Sequence, residues 1–189
     1  MVNYTLHIKA DLEGVQSVTL DPAANLCVSV RNPLNPSEVR ERVVIDPTAL
    51  EETDVPDHEK HHTESPHHFA LRWDGEKSRA TVRVLSGASS TEESHSGPSG
   101  KNSKKRSPSV TAAEVRDLHS NDSGYFVPVL VLECEGVEPY AFHPMGGEFI
   151  ITNNAGDKIQ NADLSEGAWT EVELSSGQTS ITNFESKFE

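Results

Sequence analysis

The sequence predicts an all-β fold, and three observations carry that expectation. Short β-branched or alternating segments recur at 28–30, 42–45, 68–73, 80–85, 125–134, 148–152 and 171–174, separated by Gly, Pro, Asn or Asp. Runs of this kind bounded by turn formers read as strands. Only 109–119, with Ala112, Ala113 and Val115, offers a helical run, and it is short. Finally, 4–18 aligns without a gap on 126–140, placing Ile8 against Leu130, Ala10 against Leu132, and Glu13-Gly14-Val15 against Glu135-Gly136-Val137. Each copy is an alternating strand that ends in an acidic glycine turn. A glycine at the same place in both predicts a positive φ or a close backbone approach.

Taken in order, Tyr4-Thr5-Leu6-His7-Ile8 opens the first alternating strand, and the runs at 28–30 and 42–45 flank a Pro- and Asn-rich turn. Residues 51–68 gather acids with His58, His61, His62, His67 and His68 between prolines 56 and 66, and read as a solvated loop insertion. The runs at 68–73 and 80–85 are separated by Asp74-Gly75, a strong hairpin signal. Residues 86–110 are dominated by Ser, Gly, Thr and Lys without an aromatic side chain. Too little apolar area is available there to offset an ordering entropy of roughly 1 to 2 kcal/mol per residue, so disorder is expected. Within it, Lys101-Asn102-Ser103-Lys104-Lys105-Arg106-Ser107-Pro108 has the form of a nuclear-localisation patch beside a proline-directed phosphorylation site. The runs at 125–134, 148–152 and 171–174 complete the strands, with Gly146-Gly147 a turn before the second of them.

Composition limits function. The chain has 189 residues, 34% of them apolar, and sixteen Lys and Arg against thirty Asp and Glu, for a net charge of −14. One domain with uncored stretches is expected. The acidity disfavours nucleic acid and anionic membrane as partners, since both need a basic field, and a protein partner of basic or neutral surface fits better. No window approaches the roughly 18 apolar residues of a membrane span, and the start has no charged and apolar leader pattern. Cys27 and Cys134 give no disulfide framework. The expected location is the cytoplasm, with the basic patch as a nuclear-entry candidate.

Three strings in the second half narrow the field further: Glu133-Cys134-Glu135-Gly136-Val137-Glu138-Pro139, Phe142-His143-Pro144 and Leu164-Ser165-Glu166-Gly167-Ala168-Trp169. In order and spacing they resemble the CXXC-motif-containing zinc-binding proteins, a eukaryotic family of unknown function. Ile8-Lys9-Ala10-Asp11-Leu12-Glu13-Gly14-Val15 resembles the family's opening strand, and Val43-Val44-Ile45 the strand after its first cysteine pair. The resemblance implies a β-sandwich or barrel-like body of two interleaved, pseudo-repeated halves, spanning 1–189 as one domain. It also implies one zinc ion held by two Cys-x-x-Cys pairs. Here Asn32 and Asn35 stand where the first pair would be, and Trp73 and Glu76 where the second would be, anchored by Phe69-Ala70-Leu71-Arg72 before them.

Asn amides are weak neutral donors and Trp has no usable lone pair, so this set cannot replace four thiolates around zinc. Structural zinc contributes folding free energy, and other contacts must tie these turns together. Prolines 33 and 36, Asx-turns and the bulk of Trp73 are the expected substitutes. No cofactor is expected. A rival metal site would use His58, His61, His62, His67 and His68 as a flexible imidazole cluster. His58-Glu59-Lys60-His61-His62 formally fits H-E-x-x-H, but the chemistry of that motif requires a docked helix that the polar surroundings do not support. Other catalytic motifs are missing, and Cys27 and Cys134 read as core residues, with acids beside Cys134 expected to raise its pKa. His143 has no partner at recognisable spacing. The expectation is therefore a non-enzymatic, protein-binding adaptor or co-chaperone-like protein with a zinc-free knuckle, with metal handling by the histidine loop as the alternative.

Overall fold

A computed structural model describes residues 1–51, 66–87, 115–173 and 177–189. Among these residues, thirteen strands run in chain order: β1 (Val2–Glu13), β2 (Val15–Leu20), β3 (Leu26–Asn32), β4 (Asn35–Ile45), β5 (Phe69–Leu71), β6 (Ala80–Gly87), β7 (Leu118–His119), β8 (Val127–Glu135), β9 (Glu138–Phe142), β10 (Phe149–Asn153), β11 (Lys158–Ala162), β12 (Trp169–Glu173) and β13 (Gly177–Phe188). No α-helix occurs among the described residues.

The strands form a six-stranded sheet, β12-β13-β1-β8-β6-β5, a four-stranded sheet, β11-β10-β2-β7, and a three-stranded sheet, β4-β3-β9. Reading these orders against the chain shows a repeat: β1 to β6 correspond one for one to β8 to β13. The repeats β1 and β8 pair antiparallel at the middle of the large sheet, with Leu6 opposite Leu130. Their outer neighbours are β13 and β6, themselves equivalent. The halves are interleaved, because β2 pairs with β10 and β9 with β3. This is the interleaved, pseudo-repeated architecture that the family resemblance implies, with the echoed strands paired side by side in one sheet.

Burial follows the pleat where one face meets the core. Along β1, Leu6, Ile8 and Ala10 are buried while the residues between them are not. In β3, by contrast, Leu26 to Val30 are all buried, so the strand is covered on both faces. Phe149 sits at the centre of an edge-to-face aromatic group, 6.4 Å from Phe142 and 5.3 Å from Phe184. Glu148 is buried because its carboxylate accepts the backbone N–H groups of Met145 and Gly146, closing the turn before β10.

Several expectations need correction. The described end of the 109–119 run is not helical: 115–117 is irregular, Leu118 and His119 pair with Val18 and Ser17 as β7, and a 3₁₀ turn follows at Ser120–Asp122. Residues 109–114 lie outside the described set. Leu118 is fully buried, so sheet pairing and burial override a weak local preference. The run at 68–73 contracts to β5 because Arg72 and Trp73 turn out of the sheet. Ser86 and Gly87, placed in the disordered insertion, extend β6 to pair with β8; the rest of 86–110 lies outside the described residues. The ends of the 51–68 insertion are also tied down, Glu51 and His67 exchanging both backbone hydrogen bonds.

Both glycines of the echo have positive φ, +70° at Gly14 and +66° at Gly136. Their surroundings differ. A Cβ on Gly14 would lie 2.5 Å from the Gln178 carbonyl oxygen, whereas one on Gly136 would meet Ala80 at an ordinary 3.4 Å. Gly136→Ala should therefore cost about 1 to 2 kcal/mol, the left-handed penalty alone. Gly14→Ala should cost clearly more, and urea denaturation of the two variants checks the order.

Candidate functional site

The site the sequence singled out lies where the β3–β4 turn meets the β5–β6 loop. Asn32 and Asn35 are cross-strand partners at the tip of β3 and β4. The Asn32 side chain is buried, and its carbonyl oxygen accepts the Leu34 N–H at 2.9 Å, closing the turn. Its amide nitrogen has two protons, and it donates to Glu38 Oε2 and to Glu76 Oε1, each at 3.0 Å. The second oxygen of Glu38 accepts the Asp74 N–H at 2.8 Å. One buried amide thus ties the first turn to the second.

Trp73 supplies the apolar mass beside this network and is 1% exposed. Its indole N–H donates to the Gly136 carbonyl at 2.8 Å, which connects the knuckle to the glycine turn of the other half. Within the loop, the Glu76 N–H donates to the Trp73 carbonyl at 3.2 Å, and Gly75 takes the positive φ of the turn. Arg40 lies over the Trp73 ring at 5.3 Å and reaches Asp74 at 3.5 Å and Glu38 at 3.9 Å. The N–H groups of Asp74 and Asn32 hold the Glu38 carboxyl below the usual carboxylate range, with Arg40 adding to the effect.

Of the four ligand-equivalent positions, Asn32 and Glu76 meet directly, and Trp73 lies in the turn that carries Glu76. Asn35 does not join them; it is exposed and accepts the Ser37 hydroxyl at 2.7 Å. The donor set does not fit zinc. Asn32 oxygen is used by the turn, the indole nitrogen can only donate, and Glu76 is the single anionic donor, already hydrogen-bonded by Asn32. Glu38 and Arg40 were missed in the sequence, since neither stands at a ligand position.

The pseudo-repeat explains why asparagine serves here. Aligning β3 with β10 by their matching bulges places Asn153 on Asn32. Asn153 is also buried, and its oxygen accepts the N–H groups of Ala155 and Asp157, both at 2.9 Å, while its amide donates to Asp157. Both halves therefore close this hairpin with a buried Asx-turn. The repeated asparagine was a signal available in the sequence.

Two members of the rival histidine cluster have contacts within the fold. His67 is buried beside Glu51, 3.6 Å away, in the bridge that closes the loop. His68 Nδ1 accepts the Val84 N–H at 3.0 Å, and burial lowers the pKa of its ring. His58, His61 and His62 lie outside the described residues. Cys27 and Cys134 are both buried. Burial first, then Glu133, pushes the Cys134 thiol up to about 12, so desolvation outweighs the acidic neighbour that the sequence suggested as the cause. His143 does have a partner: its Nε2 lies 2.7 Å from the hydroxyl of Ser29, far away in sequence.

These features define a class: an all-β protein of two interleaved halves, with a paired-turn knuckle at the end of one half. The sequence model of the eukaryotic CXXC motif containing zinc binding protein family matches residues 5–189. The chain belongs to that family. It is 36% identical over 70 residues to UPF0587 protein CG4646 of Drosophila melanogaster, a match spanning 36% of this chain and 43% of that protein. Its fold is similar to that of a hypothetical protein from Plasmodium falciparum, with a TM-score of 0.73 at 17% identity over all of both chains. It is similar also to the crystal structure of C1orf123, with a TM-score of 0.72 at 14% identity, covering 100% of this chain and 99% of that one.

Two outcomes follow for the knuckle. Asn32→Asp would place a third carboxylate between Glu38 and Glu76 and remove the donor that bridges them. It should destabilise by about 2 to 3 kcal/mol at neutral pH, measured by denaturant titration. Because the folded-state pKa of Glu38 is depressed, its contribution is present above the ordinary glutamate range and is lost as pH falls through the folded value. Glu38→Gln should therefore flatten the acid limb of a plot of Tm against pH, relative to the unaltered protein.

Proposed function

We propose that the protein is a non-enzymatic, protein-binding adaptor or co-chaperone-like member of its family, acting in the cytoplasm, with a knuckle held by side-chain hydrogen bonds instead of zinc. The observation that carries the reading is the Asn32–Glu38–Glu76 network, which commits the donor atoms at the family's metal position to structure. Beside it, among the described residues β4 is paired only on its β3 side, with Leu34 exposed at the tip, 86% accessible, and Val39 and Val44 exposed along the strand. An unpaired strand edge with apolar side chains is a surface that a partner's backbone can extend. The acidic chain favours a partner of basic surface.

Metal handling by the histidine cluster is the weaker alternative, since it would rest on His58, His61 and His62, with His67 and His68 engaged in the fold. The protein-binding reading predicts that crosslinking of the full chain in a cell extract captures a discrete partner, and that Leu34→Asp with Val39→Lys abolishes that capture while Tm is retained. Capture unchanged by the double substitution would remove β4 as the binding edge, and no capture by the unaltered chain would count against an adaptor.

A further inference from the structure

At the opposite end of β4 from the knuckle, the strand carries an anomaly. Among the described residues, three that are not glycine have positive φ, Arg42 at 53°, Asn161 at 60° and Asn183 at 52°. Each stands where a strand pairing shifts register. The pseudo-repeat places Arg42 and Asn161 at the same point, one in β4 and one in β11. Asparagine tolerates the left-handed region and is the ordinary choice; a bulky arginine there is an outlier. Strain of this kind is a reason to look for a role.

The bulge sets Glu41 and Arg42 of β4 against the single residue Ser29 of β3. The Ser29 hydroxyl accepts the Arg42 N–H at 3.2 Å and pairs with His143 Nε2 at 2.7 Å. One buried serine thus fixes both the strained backbone and the imidazole. Bulges of this form re-aim a side chain, and Arg42 lines a cavity of about 360 Å³ together with His143, Phe142, Leu164, Glu166 and Phe184. The Arg42 side chain is exposed and forms no ion pair among the described residues. In a chain of net charge −14, a guanidinium placed on a cavity wall is a local positive charge for an anionic ligand.

We infer that this cavity is a binding site for an oxyanion, a carboxylate or a phosphate monoester carried on an apolar or aromatic body. The guanidinium supplies a charge-assisted fork for the anion. When Ser29 donates to Nε2, the Nδ1 of His143 carries the ring proton and is a second, neutral donor. Burial first, then Arg42, holds the His143 pKa down, with Glu41 opposing, which keeps the ring neutral near pH 7. Phe142, Leu164 and Phe184 form the apolar wall for the body of the ligand. Glu166 on the rim is exposed, so its repulsion is screened. The inference stands apart from the adaptor reading, because it needs no protein partner.

Asn161 supplies the variant for the test. Arg42→Asn gives β4 the residue that β11 carries at the same bulge, removing the charge while relieving the backbone. The full chain is titrated with benzoate and, separately, with phenyl phosphate, and binding is followed by backbone and imidazole NMR shifts. The expected result is saturable shifts centred on Phe142, His143, Leu164 and Phe184 for at least one probe, weakened about tenfold or more in Arg42→Asn and largely kept in Arg42→Lys. The preferred probe names the headgroup class. Arg42→Asn should have a Tm equal to or above that of the unaltered chain, so loss of binding would not be loss of fold. Absence of saturable shifts with both probes at 10-millimolar order, or equal binding by Arg42→Asn, would overturn the inference.

Discussion

β1 and β8 pair antiparallel through the middle of the six-stranded sheet, Leu6 opposite Leu130, and each then turns through a left-handed glycine into a strand that pairs with the other half. Neither half can therefore close its own core. β2 needs β10, and β9 needs β3. Between β6 and β8 the chain also supplies β7, which pairs with β2. The Trp73 indole bonds the carbonyl of Gly136, so the glycine turn of one half also anchors the knuckle of the other.

At the knuckle the constraint is electrostatic and steric together. Four cysteines around zinc would supply both charge neutralisation and a rigid cross-link between two turns. This chain reaches the same joining of turns with one buried amide between two carboxylates, a buried indole, and an arginine laid across that indole. The Glu38 oxygens accept the Asp74 and Asn32 N–H groups, which favours the ionised form of that carboxyl. The matching Asx-turn at Asn153 shows that the hairpin geometry can be closed by asparagine alone, and that the repeat already contained the solution.

Much of this was legible in the chain. The echo of 4–18 in 126–140 points to two halves, and the family resemblance places Asn32 at a turn that the structure joins to Glu76. What stayed hidden has physical reasons. Among the described residues β13 is a joint longest strand, yet no apolar alternation marks it: Thr182, Asn183 and Glu185 are exposed, and even the buried Thr179 and Ser180 are polar, its pairing with β1 being made by backbone. Leu118 pairs in a sheet although its surroundings favour a helix, since burial of one leucine depends on residues far away in sequence. Glu38, Arg40 and Ser29 were invisible as site residues because their partners lie in other strands, and no local spacing announces a bond across the fold. His143 illustrates the limit well, its partner Ser29 lying on β3, reached only once the halves interleave.

The central claim, that the knuckle is closed by hydrogen bonds and not by zinc, is tested most directly by the metal content of the full, untagged chain purified without chelators and without a nickel column. The account predicts far less than one zinc per chain, with Tm unchanged by a strong chelator. About one tightly held zinc per chain, with a chelator-induced fall in Tm that Asn32→Ala or Glu76→Gln abolishes, would contradict it and place the ion at the family's site after all.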